Sequence, residues 1–296
     1  MRHSRRFGGG ADRRATLVRA GRLGPVVAGL LLAAGAVSAA GQELDSLRRA
    51  QRLPAPPTME IAGRGVRAAP GISLGTPSGF GAGFGDGFVG AGYQLRTRLV
   101  NRADGVAVVG AGLGDPQRYV GLEVVASSNG TVRSCCRGGI SLKLHRQIPG
   151  DASVAVGWEN GVVWKEFDAP AGDEATDAGH SVFGVVSKVV RLRPTVAEPL
   201  STLTLSLGVG NGRFRTEHDI LADHSTANVF GAAALRLTEA VAAVADWTGQ
   251  DMVAGVSVLP LRDRALVVTP GFADLTTKPR FILGAAYGFD YTAIFR

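Results

Sequence analysis

From Gly85 onward the chain is a succession of short runs in which large apolar residues alternate with small or polar ones. In 202–209, Leu203, Leu205, Leu207 and Val209 interleave with Thr202, Thr204, Ser206 and Gly208. Ile140, Leu142 and Leu144 interleave with Ser141, Lys143 and His145. Val89, Tyr93, Leu95 and Leu99 do the same with Gly90, Gly92, Gln94, Arg96 and Arg98. A period of two places each set on its own face of a β-strand. Turn residues bound twelve such runs, at 86–100, 106–114, 119–128, 137–147, 153–164, 181–192, 202–211, 226–238, 241–249, 252–260, 265–275 and 281–295. No window of helical length carries a 3.6-residue period. The pattern predicts an all-β fold of about twelve antiparallel strands.

The last run, FILGAAYGFDYTAIFR, separates its residues most sharply. Phe281, Leu283, Ala285, Tyr287, Phe289, Tyr291, Ala293 and Phe295 share one parity; Ile282, Gly284, Ala286, Gly288, Asp290, Thr292 and Ile294 share the other. It exceeds the roughly 9–11 tilted residues that cross a bilayer. It resembles the C-terminal strand of bacterial outer-membrane β-barrels, whose terminal aromatic repeat is read during barrel assembly. With its glycine–aromatic opening, the region 85–296 is also similar to exported barrel-like bacterial proteins. The resemblance implies an antiparallel up-and-down transmembrane β-barrel, with outer-membrane lipid and the barrel-assembly machinery as partners. Arg296 departs from that pattern, since such barrels usually end on the aromatic itself.

A membrane barrel turns apolar residues outward and small or polar ones inward. A soluble sandwich uses the same alternation in reverse. Connection lengths favour the barrel. Pro149–Ala152, Glu239–Ala240 and Leu261–Arg264 are short, whereas the longest loops, Lys165–His180 and Asn211–Ser225, share the opposite end. Under the barrel reading the inner faces carry Arg96, Arg98, Glu123, Lys143, Glu159, Lys188, Arg236, Asp246 and Asp290. That inventory is mixed in sign, so it predicts a cross-braced interior or a narrow polar pore rather than a single-sign selectivity ring. Tyr93, Trp158, Trp164, Trp247, Tyr287, Tyr291 and Phe295 are candidates for interfacial girdles, where amphipathic rings settle.

Composition changes the picture once the N-terminus is set aside. Residues 1–24 hold seven arginines and one acid, followed by an apolar run from Pro25 and the small residues Ser38-Ala39-Ala40. A charged start, a short apolar core and a small-residue exit read as a secretory signal peptide over 1–40. The whole chain carries +7. Residues 1–40 contribute 7 basic and 1 acidic side chains, which leaves 25 basic against 24 acidic in the remainder. A near-neutral mature chain lacks the clustered basic excess of a nucleic-acid binder. Residues 41–84 are rich in Gly, Ala, Pro and Ser, and read as a linker or plug-like tail with few fixed contacts.

The motifs that spell chemistry sit in the wrong context. Gly85-Asp-Gly87-Phe-Val-Gly90 matches G-x-G-x-x-G but opens a strand, where a dinucleotide site needs a helix. Gly71-Ile-Ser73-Leu-Gly75 matches a nucleophile elbow, yet falls in the Gly-rich segment. Cys135 and Cys136 are adjacent, and their Cα atoms lie too close for an unstrained bridge. No cofactor or metal is expected, and no enzyme activity. The leading functional expectation is an outer-membrane β-barrel acting as a narrow passive channel or structural envelope protein. Two alternatives accompany it. One is a soluble periplasmic β-protein that binds a ligand or partner; the other is an outer-membrane lipid hydrolase using His224-Ser225 or His180-Ser181 at the loop rim.

Overall fold

The computed structural model describes residues 59–62, 65–98, 103–129, 137–164, 180–261 and 264–295. All belong to one compact unit, Ala55–Arg296. The leader, Cys135, Cys136 and Arg296 lie outside the described residues. A two-stranded hairpin comes first, β1 (Met59–Ala62) with β2 (Gly65–Ala68). Twelve antiparallel strands follow: β3 (Asp86–Gln94), β4 (Asp104–Gly114), β5 (Gly121–Asn129), β6 (Arg137–Ile148), β7 (Ala152–Trp164), β8 (Ser181–Arg191), β9 (Thr202–Gly210), β10 (Asn228–Thr238), β11 (Val241–Trp247), β12 (Met252–Val258), β13 (Leu266–Ala273) and β14 (Arg280–Asp290). Each pairs with its sequence neighbours, and β14 closes on β3 through the register Ile282↔Gln94 to Asp290↔Asp86. The result is a closed up-and-down barrel in which every one of the twelve runs became a strand. Closure leaves no unpaired sheet edge.

The facing follows the alternation. β9 buries Thr202, Thr204 and Ser206 towards the barrel axis and exposes Leu205, Leu207 and Val209 on the outside. β8 buries Ser181, Phe183, Val185, Ser187 and Val189, and presents Val182 and Val186 outward. Leu142, Leu144, Val156, Val229, Val256 and Leu283 continue the outer apolar belt around the wall. The barrel is therefore apolar outside, and its inner wall mixes polar, small and aromatic residues.

Three details depart from an ideal ladder, the first a register shift between β10 and β11 at Arg236–Thr238. The β6–β7 register shifts between Ile140 and Leu142, opposite Asn160, which adopts φ 52°. The shift adds two residues to β7 and so preserves parity: Trp158, Val162 and Trp164 all stay on the outer face. β14 ends at Asp290 rather than near Phe295. Asp290 Oδ1 accepts from the Thr292 N–H (2.8 Å) and hydroxyl (2.6 Å). That local turn diverts Tyr291–Phe295 into a 3-10 helix.

Both chain entry into β3 and exit from β14 lie at one end of the barrel, here the terminal end. The opposite, loop end carries the β9–β10 connection, with a 3-10 turn at Gly212–Phe214 and a short helix, α1 (Glu217–Leu221).

Candidate functional site: the strapped barrel interior

The Gly-rich segment before β3 is a fixed strap inside the barrel. Residues 71–84 follow the inner wall from β12 round to β4, with a hydrogen bond at almost every step. The Gly71 N–H donates to Ser257 Oγ on β12 (2.6 Å). Leu74, Gly75 and Thr76 then aim their N–H groups at one oxygen of Asp246 on β11, at 2.8, 2.7 and 3.2 Å. The Ser73 hydroxyl lies 2.8 Å from the same oxygen. Successive backbone N–H groups converging on a carboxylate form an anion nest. The G-x-S-x-G spelling at Gly71–Gly75 therefore builds a cradle for a buried aspartate. Ile72 and Leu74 pack against Ala234, Ala242 and Val244 beside it.

Beyond Thr76 the strap descends along the opposite wall. Gly79 donates its N–H to Ser187 Oγ (2.8 Å), and its carbonyl accepts from Ser153 Oγ (2.6 Å). Lys143 and Glu123, cross-strand partners on β6 and β5, pair at 3.0 Å and each also hold the strap. Lys143 Nζ donates to Phe80 O (3.0 Å), and Glu123 accepts from the Ala82 N–H (2.9 Å). His145 Nε2 meets Ala82 O at 3.0 Å. Finally Gly83 donates to Asp86, and the Phe84 N–H to Gly114 O. The expectation of few fixed contacts over 41–84 is thus corrected for this part of the segment. The inner wall offers hydroxyls, carboxylates and an ammonium, and a backbone with glycine at 71, 75, 79, 81 and 83 can approach them closely.

A second element enters from the loop end. Phe214 is fully buried, stacked on Phe230 at 4.3 Å between ring centroids, with Phe183 edge-on to both. Arg213 lies over the Phe214 ring, binds Glu159 through two nitrogens, and donates to Gly75 O (2.7 Å). The apex of the strap is thereby held between Asp246 and Arg213. The chain matches no protein-family model and no curated protein sequence. Its interior must be read from this geometry.

At the loop end, Arg98 ties four connections together. It binds Glu217 of α1 (2.6 Å), Asp251 between β11 and β12 (3.0 Å) and Asp274 between β13 and β14 (2.7 Å). Arg280 Nε lies 2.8 Å from the second Asp274 oxygen, an ion pair without hydrogen-bond alignment. Burial alone would lower the Arg98 pKa, but its three carboxylates raise it. Asp251 also accepts from the hydroxyls of Thr276 and Thr277, at 2.7 Å each.

The nominated residues fall into three groups. Glu123, Lys143, Glu159, Arg236 and Asp246 stand on inner faces, and Asp290 on the inner parity of β14 opposite Asp86. Arg96 and Arg98 lie just beyond β3, in the loop-end network; Arg96 donates to Lys278 O. Lys188 is placed otherwise. It shares the outer parity of β8 with Val182 and Val186 and reaches the Gly150 carbonyl at the terminal rim. A long stem on an apolar wall with its ammonium at the edge is a snorkelling lysine. Among the aromatics, Tyr93, Trp158, Trp164 and Trp247 are outward near the loop end, and Tyr287 is outward nearer the terminal end. Tyr291, beyond the end of β14, instead donates its hydroxyl to Gly112 O (2.9 Å) and packs on Phe84. The Phe295 side chain lies outside the described residues.

Sequence reasoning missed Arg213, Phe214, Glu217, Asp251, Asp274 and the fixed contacts of the plug-like segment. Asp246 within the apolar VAAVADW run was the available signal, because a charge on the buried face of such a strand requires partners. Of the two rim pairs, Ser181 is fully buried, its Oγ accepting from the Arg213 N–H, while His180 is exposed and packs near Trp158.

Proposed function

We propose that this chain is a bacterial outer-membrane β-barrel whose own strap keeps the interior closed, so that it serves as a structural envelope protein. The observation carrying this reading is the inversion of polarity across the wall: Leu, Val and Trp outside, Ser, Thr and paired charges inside. A soluble barrel would expose that continuous apolar belt to water, far beyond the few hundred Å² typical of monomers. In lipid the belt is matched to its surroundings, and outward aromatics towards both ends fit the two interfaces. Outer-membrane lipid and the assembly machinery are the partners this reading requires.

The balance between channel and brace tips towards the brace because the inner charges are already engaged. Lys143, Glu123 and Asp246 hold the strap, and Arg213 clamps it from the other side. The test is fractionation of cells expressing the full chain. The protein is expected in the outer-membrane fraction, resistant to carbonate extraction, with heat-modifiable migration in detergent. Release by carbonate into a soluble, detergent-independent form would overturn the proposal.

A further inference from the structure

We infer that the β9–β10 loop carries a divalent-metal site formed by His218, Asp219 and His224, with a preference for zinc-like ions. The inference goes beyond the barrel reading and does not depend on it.

The site is built around one carboxylate. Thr216 caps α1, its Oγ accepting from the Asp219 N–H at 3.1 Å. The hydroxyls of Thr216 and Thr226 both donate to Asp219 Oδ2, at 2.8 and 3.0 Å. Those bonds fix the carboxylate and leave Oδ1 facing two imidazoles. His224 Nδ1 stands 3.5 Å from Oδ1, and His218 Nδ1 stands 4.0 Å from it. The rings are 6.0 Å apart, inclined at 55°. Backbone contacts hold the three residues in place: the His224 N–H donates to Asp219 O (2.8 Å), and the Ala222 N–H to His218 O (3.0 Å). Ile220, buried in the same turn, anchors α1.

The spacing suits a metal better than a hydrogen bond. An imidazole bonded to a carboxylate stands roughly 2.7–2.9 Å away. Two ligands of one tetrahedral ion, each about 2.0–2.1 Å from it, stand about 3.4 Å apart. The His224 pair already has that separation, and rotation of the exposed His218 ring brings the third ligand in. Two imidazole nitrogens and one carboxylate oxygen form a donor set that suits Zn²⁺, with positions left for water. Thr216 and Thr226 supply the outer partners that orient a ligating carboxylate. A bound ion would staple α1 to the chain entering β10, and so fix the loop that delivers Arg213 and Phe214 to the interior. The expectation of no metal considered ligand spacing only around Cys135 and Cys136; His218 and His224 are separated by five residues, and the turn at Asp223, φ 49°, brings both to Asp219.

The test is calorimetric titration of zinc chloride into the untagged full mature chain, refolded in detergent. Cys135 and Cys136 are changed to Ser to remove competing thiols. One equivalent is expected to bind. His224→Ala and Asp219→Asn are expected to abolish that binding, and Thr226→Val to weaken it about tenfold. His180→Ala should leave it unchanged. A far-ultraviolet circular-dichroism spectrum matching that of the unsubstituted chain shows that each variant is folded. Absence of saturable binding, or binding indifferent to His224→Ala in a folded barrel, overturns the inference. Because the titration is done in detergent, its result stands whichever way the fractionation falls.

Discussion

Gly112 shows how much of this interior rests on a missing side chain. A Cβ built there would lie 2.3 Å from both Ala82 C and Gly83 O, where the strap passes the wall. Gly112→Ala must therefore displace the strap, at about 1–3 kcal/mol for an overpacked contact. Gly284→Ala on β14 meets nothing nearer than Thr269 O at 3.9 Å and serves as the control. Urea unfolding in micelles should separate the two variants, and equal stability would refute the strap contact. Asp251 supports a second expectation. Burial would raise its carboxyl pKa, but the Thr276 and Thr277 hydroxyls, the Thr276 N–H and Arg98 outweigh burial and hold it far below the usual range. A group depressed in the folded state stabilises fully above the ordinary carboxylate pKa, and that contribution fades only as pH falls through the lower folded value. The Asp251-centred loop network should therefore stay docked at pH 4. Amide exchange at Thr276, corrected for the intrinsic rate, measures this; loss of its protection between pH 7 and pH 4 would contradict it. Neither residue role was legible in the chain, because Arg98 and Asp251 stand 153 positions apart and the strap meets Gly112 only in the closed barrel. Glycine in sequence signals freedom, and only the fold shows where that freedom becomes close approach.

The strands, by contrast, were written plainly. A period of two needs no long-range information, so all twelve runs and most of their facings follow from local order. Failures occur where a side chain redirects its own backbone or reaches an edge. Asp290 ended β14 five residues early, and Asn160 introduced a bulge that alternation does not encode. Lys188 sits on the apolar parity because its ammonium escapes to the Gly150 carbonyl, which a count of polar positions cannot anticipate. The outer face makes a prediction of its own. Leu207 is 60% exposed, between Val186 on β8 and Gly231 on β10. On a lipid-facing wall Leu207→Arg should cost about 2–4 kcal/mol if the residue lies near mid-bilayer. On a water-facing wall the same change should fall within about 0.5 kcal/mol. Reversible unfolding from lipid vesicles measures the difference, and a neutral result would count against the membrane reading.

Taken whole, the molecule is a barrel whose interior holds its own preceding segment and one inward loop, which meet at Gly75. Asp246 holds the strap apex from the wall, and Arg213 holds it from the loop. This makes closure depend on a few contacts rather than on the wall. Asp246→Ala strands the N–H groups of Leu74, Gly75 and Thr76 in the interior, where an unmet donor costs about 1–3 kcal/mol. That cost falls on the closed state alone, because a displaced strap regains water as a partner. The wild-type barrel in planar bilayers is therefore expected to be silent or to open only rarely. Asp246→Ala should raise the frequency of openings about tenfold or more, since each 1.4 kcal/mol is a factor of ten in an equilibrium. Removing residues 69–83 should give steady conductance, with a selectivity sensitive to charge reversal at Lys143, whose ammonium then lines open space. If the strapless barrel proves as silent as the intact one, the layer of Phe183, Phe214 and Phe230 is the true seal, and the strap serves only to brace the wall.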